Sequence, residues 1–279
     1  MKTLKTQGII FFFFIALGFS QLGCGGSGVN LYQKSQDVQL GQQVQAQIAK
    51  DPAHYPVLNN PTLRNYVQGL VNRIISSPNV INKDFNYSVT LIQDDKTVNA
   101  FTLPGGPIYV YTGLMKYVDN EATLVGILAH EITHADHRHS TQQMTKQYGL
   151  SAVTQLALGN NPTLAGQIVA GLAQGAEGLA MLQFSRADET EADANSFIDL
   201  YQLPGRPWYP AAIKFFMIKT LAQSGTRPPS ELSKLFMTHP PSQERLNATN
   251  AQAQKANLPA PTEAQLNSAG YQRYKAMLP

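Results

Sequence analysis

The sequence predicts a predominantly helical α+β domain with a small sheet of about three strands, and three observations carry that expectation. Apolar residues recur at helical spacing through most of the chain, for example Leu63, Tyr66, Val67, Leu70, Val71, Ile74 and Ile75. One region, residues 87–111, reads instead as short strands separated by turn residues. The composition is 43% hydrophobic and 14% charged, with Lys+Arg 21 against Asp+Glu 18 and a net charge of +3. That balance supports a buried core and disfavours both a disordered chain and a basic nucleic-acid binder. Within the 279 residues there is no internal repeat and no clear linker after residue 37, so residues 38–279 read as one domain.

Taken in order, Lys2 and Lys5 precede an apolar run from Ile9 to Phe19, followed by Gly23, Cys24, Gly25 and Gly26, the layout of a signal peptide. At about 1.5 Å rise per residue the run covers roughly 16 Å, about half a hydrocarbon core. The single cysteine has no internal disulfide partner. Leu22-Gly23-Cys24 resembles a bacterial lipobox, although Gln21 stands where an aliphatic residue is usual. Residues 1–23 are therefore expected to be a lipoprotein signal peptide, Cys24 the lipidated residue, and 24–37, rich in Gly, Ser, Gln and Asn, a flexible tether.

Leu40, Val44 and Ile48 give a first helix, stopped by Asp51-Pro52, and Asn60-Pro61 opens a second with a cap and a first-turn proline. Tyr87 to Gln93, Val98 to Leu103 and Ile108 to Tyr111 are the expected strands. Asp119 or Asn120 caps a long helix from Glu121 to about Tyr148, with Glu121 at its positive end. Residues 149–183 suggest helices of small residues or a cover, a further helix runs from near Arg186 to about Tyr201, and from Asn247 the chain reads as a polar tail or surface helix.

Chemistry concentrates in His130-Glu131-Ile132-Thr133-His134. Two imidazoles four residues apart share one helix face, and both can turn onto one metal at roughly 2.0–2.1 Å. Glu131, about 100° round the helix, can contact a water on that metal without coordinating, the place of a general base. The apolar preceding turns, Leu124, Val125, Ile127 and Leu128, put these histidines on a buried helix, where imidazoles need partners. Ser140 stands six positions after His134, which excludes the metzincin pattern of a third histidine there. His137 lies on the same stripe but about 10.5 Å along the axis from His130, so it reads as a supporting or surface histidine. In Arg186-Ala187-Asp188-Glu189-Thr190-Glu191-Ala192-Asp193, Glu189 and Asp193 share a face. This is either an ordinary charged helix face or, downstream of a metal helix, a third ligand and a carboxylate that accepts a ligand's free ring N–H. Asp188 and Glu191 point elsewhere and are expected to be solvated.

These motifs, with Val98-Asn99-Ala100-Phe101, Pro104-Gly105-Gly106 and Thr238-His239-Pro240, resemble family forty-eight of the metallopeptidases over roughly residues 35–250. The resemblance implies a zincin-like (gluzincin) fold with the small sheet beside the histidine helix, and one Zn²⁺ held by His130, His134 and Glu189. It further implies Glu131 as catalytic base and Asp193 as the supporting aspartate. Asn99, Ala100, Phe101, Gly105 and Gly106 would line the substrate cleft. His239 would either stabilise an oxyanion or latch the site, its bland alternative being a loop cap, and Arg245 follows it as a supporting residue. The stretch 149–183 is too polar for a membrane span, so the chain resembles the exported branch of the family. The implied activity is a zinc endopeptidase acting on unfolded or misassembled envelope proteins. It would be lipid-anchored at the periplasmic side of the outer membrane, or alternatively soluble in the periplasm, with no nucleic-acid partner. A lipoprotein chaperone with a latched or inactive zinc site is the alternative function.

Overall fold

The region 87–111 folds into strands β1 (Val89–Ile92), β2 (Ala100–Thr102) and β3 (Ile108–Tyr111) in the computed structural model, which describes residues 29–157, 184–223 and 230–279. The order is β1-β3-β2, with β3 parallel to β1 and antiparallel to β2. Alternation along the strands separates two cores. Phe101, Tyr109 and Tyr111 face α1 (Lys34–Ile48), joining Leu40, Val44 and Ile48, while Ala100, Ile108 and Val110 join the larger core on the other face. The approach of α1 is close: a Cβ on Gly41 would lie 2.0 Å from the Pro104 carbonyl oxygen.

The larger core packs α2 (Pro61–Ile75) and α4 (Glu121–Asp136), which follows the short α3 (Thr112–Tyr117). Every residue of α4 is buried. A helix buried on all sides needs both ends satisfied by the protein rather than by water. At its start Asn120 Oδ1 accepts from the Thr123 amide at 2.8 Å, and the Glu121 carboxylate accepts from Tyr66 Oη at 2.8 Å and Trp208 Nε1 at 2.7 Å. At its end Asn82 Nδ2 donates to the Asp136 carbonyl at 2.6 Å and the Arg138 amide to the Ala135 carbonyl at 3.0 Å, while the Asp136 carboxylate ties the end to the amides of Ile81 and Asn82.

The long helix expected to run on to Tyr148 breaks instead at Arg138, whose φ is 60°. The cause lies a hundred residues upstream: the guanidinium of Arg138 is paired with the buried carboxylate of Asp37 and donates to the Tyr32 carbonyl. Ion pairing across the chain offsets the cost of a left-handed non-glycine residue. A new helix, α5 (His139–Ala157), starts immediately afterwards. The same contact holds part of the expected tether, residues 30–37, against the domain. Asn30 donates to Thr141 Oγ1, the Leu31 amide to Thr145 Oγ1, and α1 begins at Lys34.

Around α4 pack β2, α2, α6 (Arg186–Gln202) and α7 (Ile213–Gln223). Next come α8 (Ser233–Thr238), α9 (Gln243–Lys255), α10 (Glu263–Leu266) and α11 (Ser268–Lys275). The polar C-terminal region is thus no loose tail. Tyr271 is fully buried and donates to the Met115 carbonyl, and Tyr274 stacks on Tyr66 at 3.6 Å. Among the described residues no helix is long and apolar enough to cross a membrane. The expected signal segment, Cys24 and most of the 149–183 stretch lie outside those residues.

Candidate metal centre

Three elements converge on the middle of the fold. On α4 the Nε2 atoms of His130 and His134 lie 3.0 Å apart. From α6, Glu189 places Oε2 at 3.5 Å from the first and Oε1 at 3.4 Å from the second. His239, just past α8, places Nδ1 at 3.4 Å from His130 Nε2 and 2.8 Å from Glu189 Oε1. Donors bonded to one zinc at 2.0–2.1 Å in a tetrahedron stand about 3.3 Å apart, so these separations fit a single ion. The chemistry fits as well, since three imidazoles and a carboxylate are a borderline-soft nitrogen and oxygen set. All four side chains are buried, and two ring nitrogens facing one another and a carboxylate are what a shared cation satisfies.

Glu131 is buried but outside the donor set. Its Oε2 faces Thr102 Oγ1 at 3.4 Å, and its Oε1 lies 3.3 Å from His239 Nε2. Burial pushes its carboxyl above the usual range, against the charges of His239 and His130.

Behind His130, Asp193 Oδ1 sits 2.9 Å from Nδ1. Arg245 clamps Asp193 with two parallel bonds, Nε to Oδ2 at 2.7 Å and Nη2 to Oδ1 at 2.8 Å, and its Nη1 reaches Glu189 Oε2 at 2.6 Å. Burial alone would raise the Asp193 carboxyl, but the Arg245 charge outweighs it and lowers it. Burial likewise opposes ionisation of Glu189, yet the charge of His239 and the hydrogen bonds of His130, His134 and His239 hold it well below the usual range. The two α4 histidines diverge: burial lowers His134 well below its ordinary value, whereas at His130 the hydrogen bonds of Asp193 and Glu189 overcome burial and raise it to about 9.

The structure therefore brings together His130, Glu131, His134, Glu189, Asp193, His239 and Arg245. The residues expected along the cleft divide. Ala100 lines an apolar cavity beside His130 and Glu131, with Ile127, Ile213, Met217 and Leu235. Asn99 is fully buried, and neither polar atom of its side chain has a partner among the described residues. Phe101 points the other way and stacks on Tyr109 at 4.8 Å. Gly105 and Gly106 form a turn with φ of 76° and 110°, tight against Val38 and the Asn86 backbone, so their evident task is the turn.

Four neighbours escaped sequence reasoning. Phe184 stacks on the His134 ring at 3.8 Å. His139 Nδ1 lies 2.8 Å from His134 Nδ1. Glu191, expected in solvent, lies between His137 and His139; the nearby His139 ring, 3.6 Å away, is the largest influence holding its carboxyl down at about 2, with the His137 hydrogen bond adding to it. Asp188, expected in solvent too, is buried and closes a capping box with Ser185. Two of them had a sequence signal: Ser185 stands three residues before Asp188, and His139-Ser140 resembles a common family continuation after the histidine helix.

A buried helix carrying two ligand-spaced histidines with an uncoordinated glutamate between them, and a downstream glutamate completing the donors, defines a zincin-like metallopeptidase. The chain belongs to peptidase family M48, whose model matches residues 61–253. It is 30% identical over 230 residues to the beta-barrel assembly-enhancing protease of Escherichia coli (strain K12), covering 80% of this chain and 45% of that protein. It is 33% identical over 184 residues to the metalloprotease YcaL of the same organism, covering 66% of this chain and 65% of that one. Similarity extends to the mitochondrial metalloendopeptidase OMA1 of Schizosaccharomyces pombe, 32% identical over 181 residues, 65% of this chain and 50% of the relative. The chain thus spans about half the length of the first of these.

Proposed function

We propose that this metallopeptidase is a zinc-dependent endopeptidase that cuts unfolded or misassembled envelope proteins. In this reading it is exported and lipid-anchored through Cys24 to the periplasmic side of the outer membrane. The observation that carries the chemistry is Glu131, buried and uncoordinated, beside four donors spaced for one ion. A zinc ion there would supply Lewis-acid polarisation of the scissile carbonyl and acidify a water. His130 and His134 present Nε2, and Glu189 an oxygen, to hold it. Glu131 accepts the proton of the attacking water and passes it to the leaving amine. Burial, by raising the Glu131 carboxyl, favours its holding the proton between the two transfers. The name of the barrel-assembly relative supports envelope proteins as substrates.

A second reading is favoured by His239. Its Nδ1 stands among the donors as a fourth, and a four-ligand site is what structural zinc uses. The chain would then be a zinc-containing chaperone or assembly factor with a latched site. Cleavage of an unfolded protein by wild type and by Glu131→Gln, with zinc content measured on both, separates the two. The peptidase reading expects the variant to lose at least about 100-fold in rate with zinc retained, and equal inertness of both proteins supports the chaperone. For the anchor, Cys24→Ser should move the protein from membranes to a soluble fraction; unchanged membrane association refutes lipidation as the tether.

A further inference from the structure

His130 is backed directly by a carboxylate, whereas His134 is backed by another imidazole. Since His134 Nε2 faces the donor cluster at 3.0 and 3.4 Å, the ring must carry its proton on Nδ1 to bind a metal. That Nδ1 lies 2.8 Å from His139 Nδ1, so His139 accepts there and holds its own proton on Nε2. His139 is fully buried, and its Nε2 has no hydrogen-bond partner within bonding distance among the described residues. It faces Glu191 Oε2 at 3.6 Å, while the other oxygen of Glu191 takes His137 Nδ1 at 2.8 Å.

We propose that His139 and Glu191 form a positioning relay, in which Glu191 fixes the proton on His139 Nε2 and His139 thereby fixes the metal-binding tautomer of His134. The inference rests on the metal-site reading of His130, His134 and Glu189. Without Glu191 the buried His139 is free to carry its proton on Nδ1. Two N–H groups would then face each other, and His134 would be driven to protonate the nitrogen the metal needs. The alternative use of the same three side chains, a second metal on His137, His139 and Glu191, fits less well. Bound to an ion through Nε2, a neutral His139 would carry its proton on Nδ1, which would then face the Nδ1–H of His134 at 2.8 Å. Helix α6 would thus supply one ligand and the backing carboxylate for both α4 histidines, from alternate positions 189, 191 and 193.

The test is zinc affinity, by competition with a chromophoric chelator, on full-length protein. Glu191→Gln, at a partly exposed position, and His139→Leu should each weaken zinc binding about 10–100-fold, the usual effect of losing such support. His139→Asn, whose Oδ1 can take the place of Nδ1, should recover most of that loss, and adding Glu191→Gln to it should cost nothing further. His137→Ala should leave both the affinity and a stoichiometry of one zinc unchanged. Affinities of Glu191→Gln and His139→Leu within twofold of wild type overturn the relay. So does a second zinc equivalent that disappears in His137→Ala. Absence of tight zinc in wild type itself overturns the metal-site reading instead, which keeps the two failures distinct. Long-range proton–nitrogen spectra of the zinc form should show His139 protonated on Nε2; protonation on Nδ1 also refutes the proposal.

Discussion

Asp199 on α6 is buried away from the metal centre, bonded by Asn79 Nδ2 at 2.9 Å. Burial first, and the nearby Asp136 carboxylate with it, raise its pKa to about 7, against the Asn79 and Ser77 hydrogen bonds. An acid whose folded value is raised keeps its proton in the native chain while the unfolded chain has released it. Stability therefore falls as pH rises from the ordinary value near 4 to about 7, and is flat above. Asp199→Asn keeps an oxygen for Asn79 and removes the ionisation. It should raise the midpoint of thermal unfolding at pH 7–8, with the advantage shrinking toward pH 4. The gain is bounded by roughly 4 kcal/mol, at about 1.4 kcal/mol per pKa unit. An advantage that is constant from pH 4 to pH 8 would contradict this assignment. Nothing in the sequence marked Asp199, whose environment is built from residues more than fifty positions away.

At the scale of elements, α4 is positioned by close approach as well as by its caps. A Cβ on Gly126 would stand 2.7 Å from the Ile213 amide nitrogen, backbone against backbone, where α4 meets the start of α7. Gly126→Ala would gain up to about 1 kcal/mol of helix propensity but lose about 1–3 kcal/mol to overpacking. Because His130 lies one turn further on, zinc affinity should fall with stability. Gly69, in α2, has nothing within 4 Å of its missing Cβ, so Gly69→Ala should stabilise by about 0.5–1 kcal/mol. Urea unfolding of the two variants reads the contrast, and the same sign for both would show that the crossing is not tight. Elements of this kind were legible where the information is local. The four-residue spacing of His130 and His134, the pairing of Glu189 with Asp193 and the caps at Asn60 and Asn120 each sit within a turn or two. The break at Arg138 was not legible, because Asp37 and Tyr32 cause it, and with it went the placement of His139 against His134. Docking of Tyr271 and Tyr274 was missed for a related reason: the C-terminal helices carry few aliphatics and dock through aromatic rings.

For the molecule as a whole, the metal centre is a junction between α4, α6 and the segment after α8, with Glu131, Glu189 and Asp193 buried together against the single guanidinium of Arg245. A divalent cation there would compensate carboxylates that otherwise share one positive side chain and three imidazoles, and the side chains that would hold it come from elements 50 to 109 residues apart. Binding restricted to the folded state stabilises by mass action, about 4 kcal/mol when free zinc exceeds its dissociation constant a thousandfold. For a domain of this size that corresponds to a rise in unfolding midpoint on the order of 10 °C. Removing zinc with a strong chelator should therefore lower the midpoint by that order and restore it on adding zinc back. Amide exchange should speed most in α4 and α6, the two helices whose side chains would hold the ion. Glu189→Gln should lower the zinc-dependent part of the midpoint, while Glu131→Gln, which removes no donor, should leave it in place. A chelator without effect on the midpoint, or equal loss in both variants, would show that the three elements are held together by packing alone.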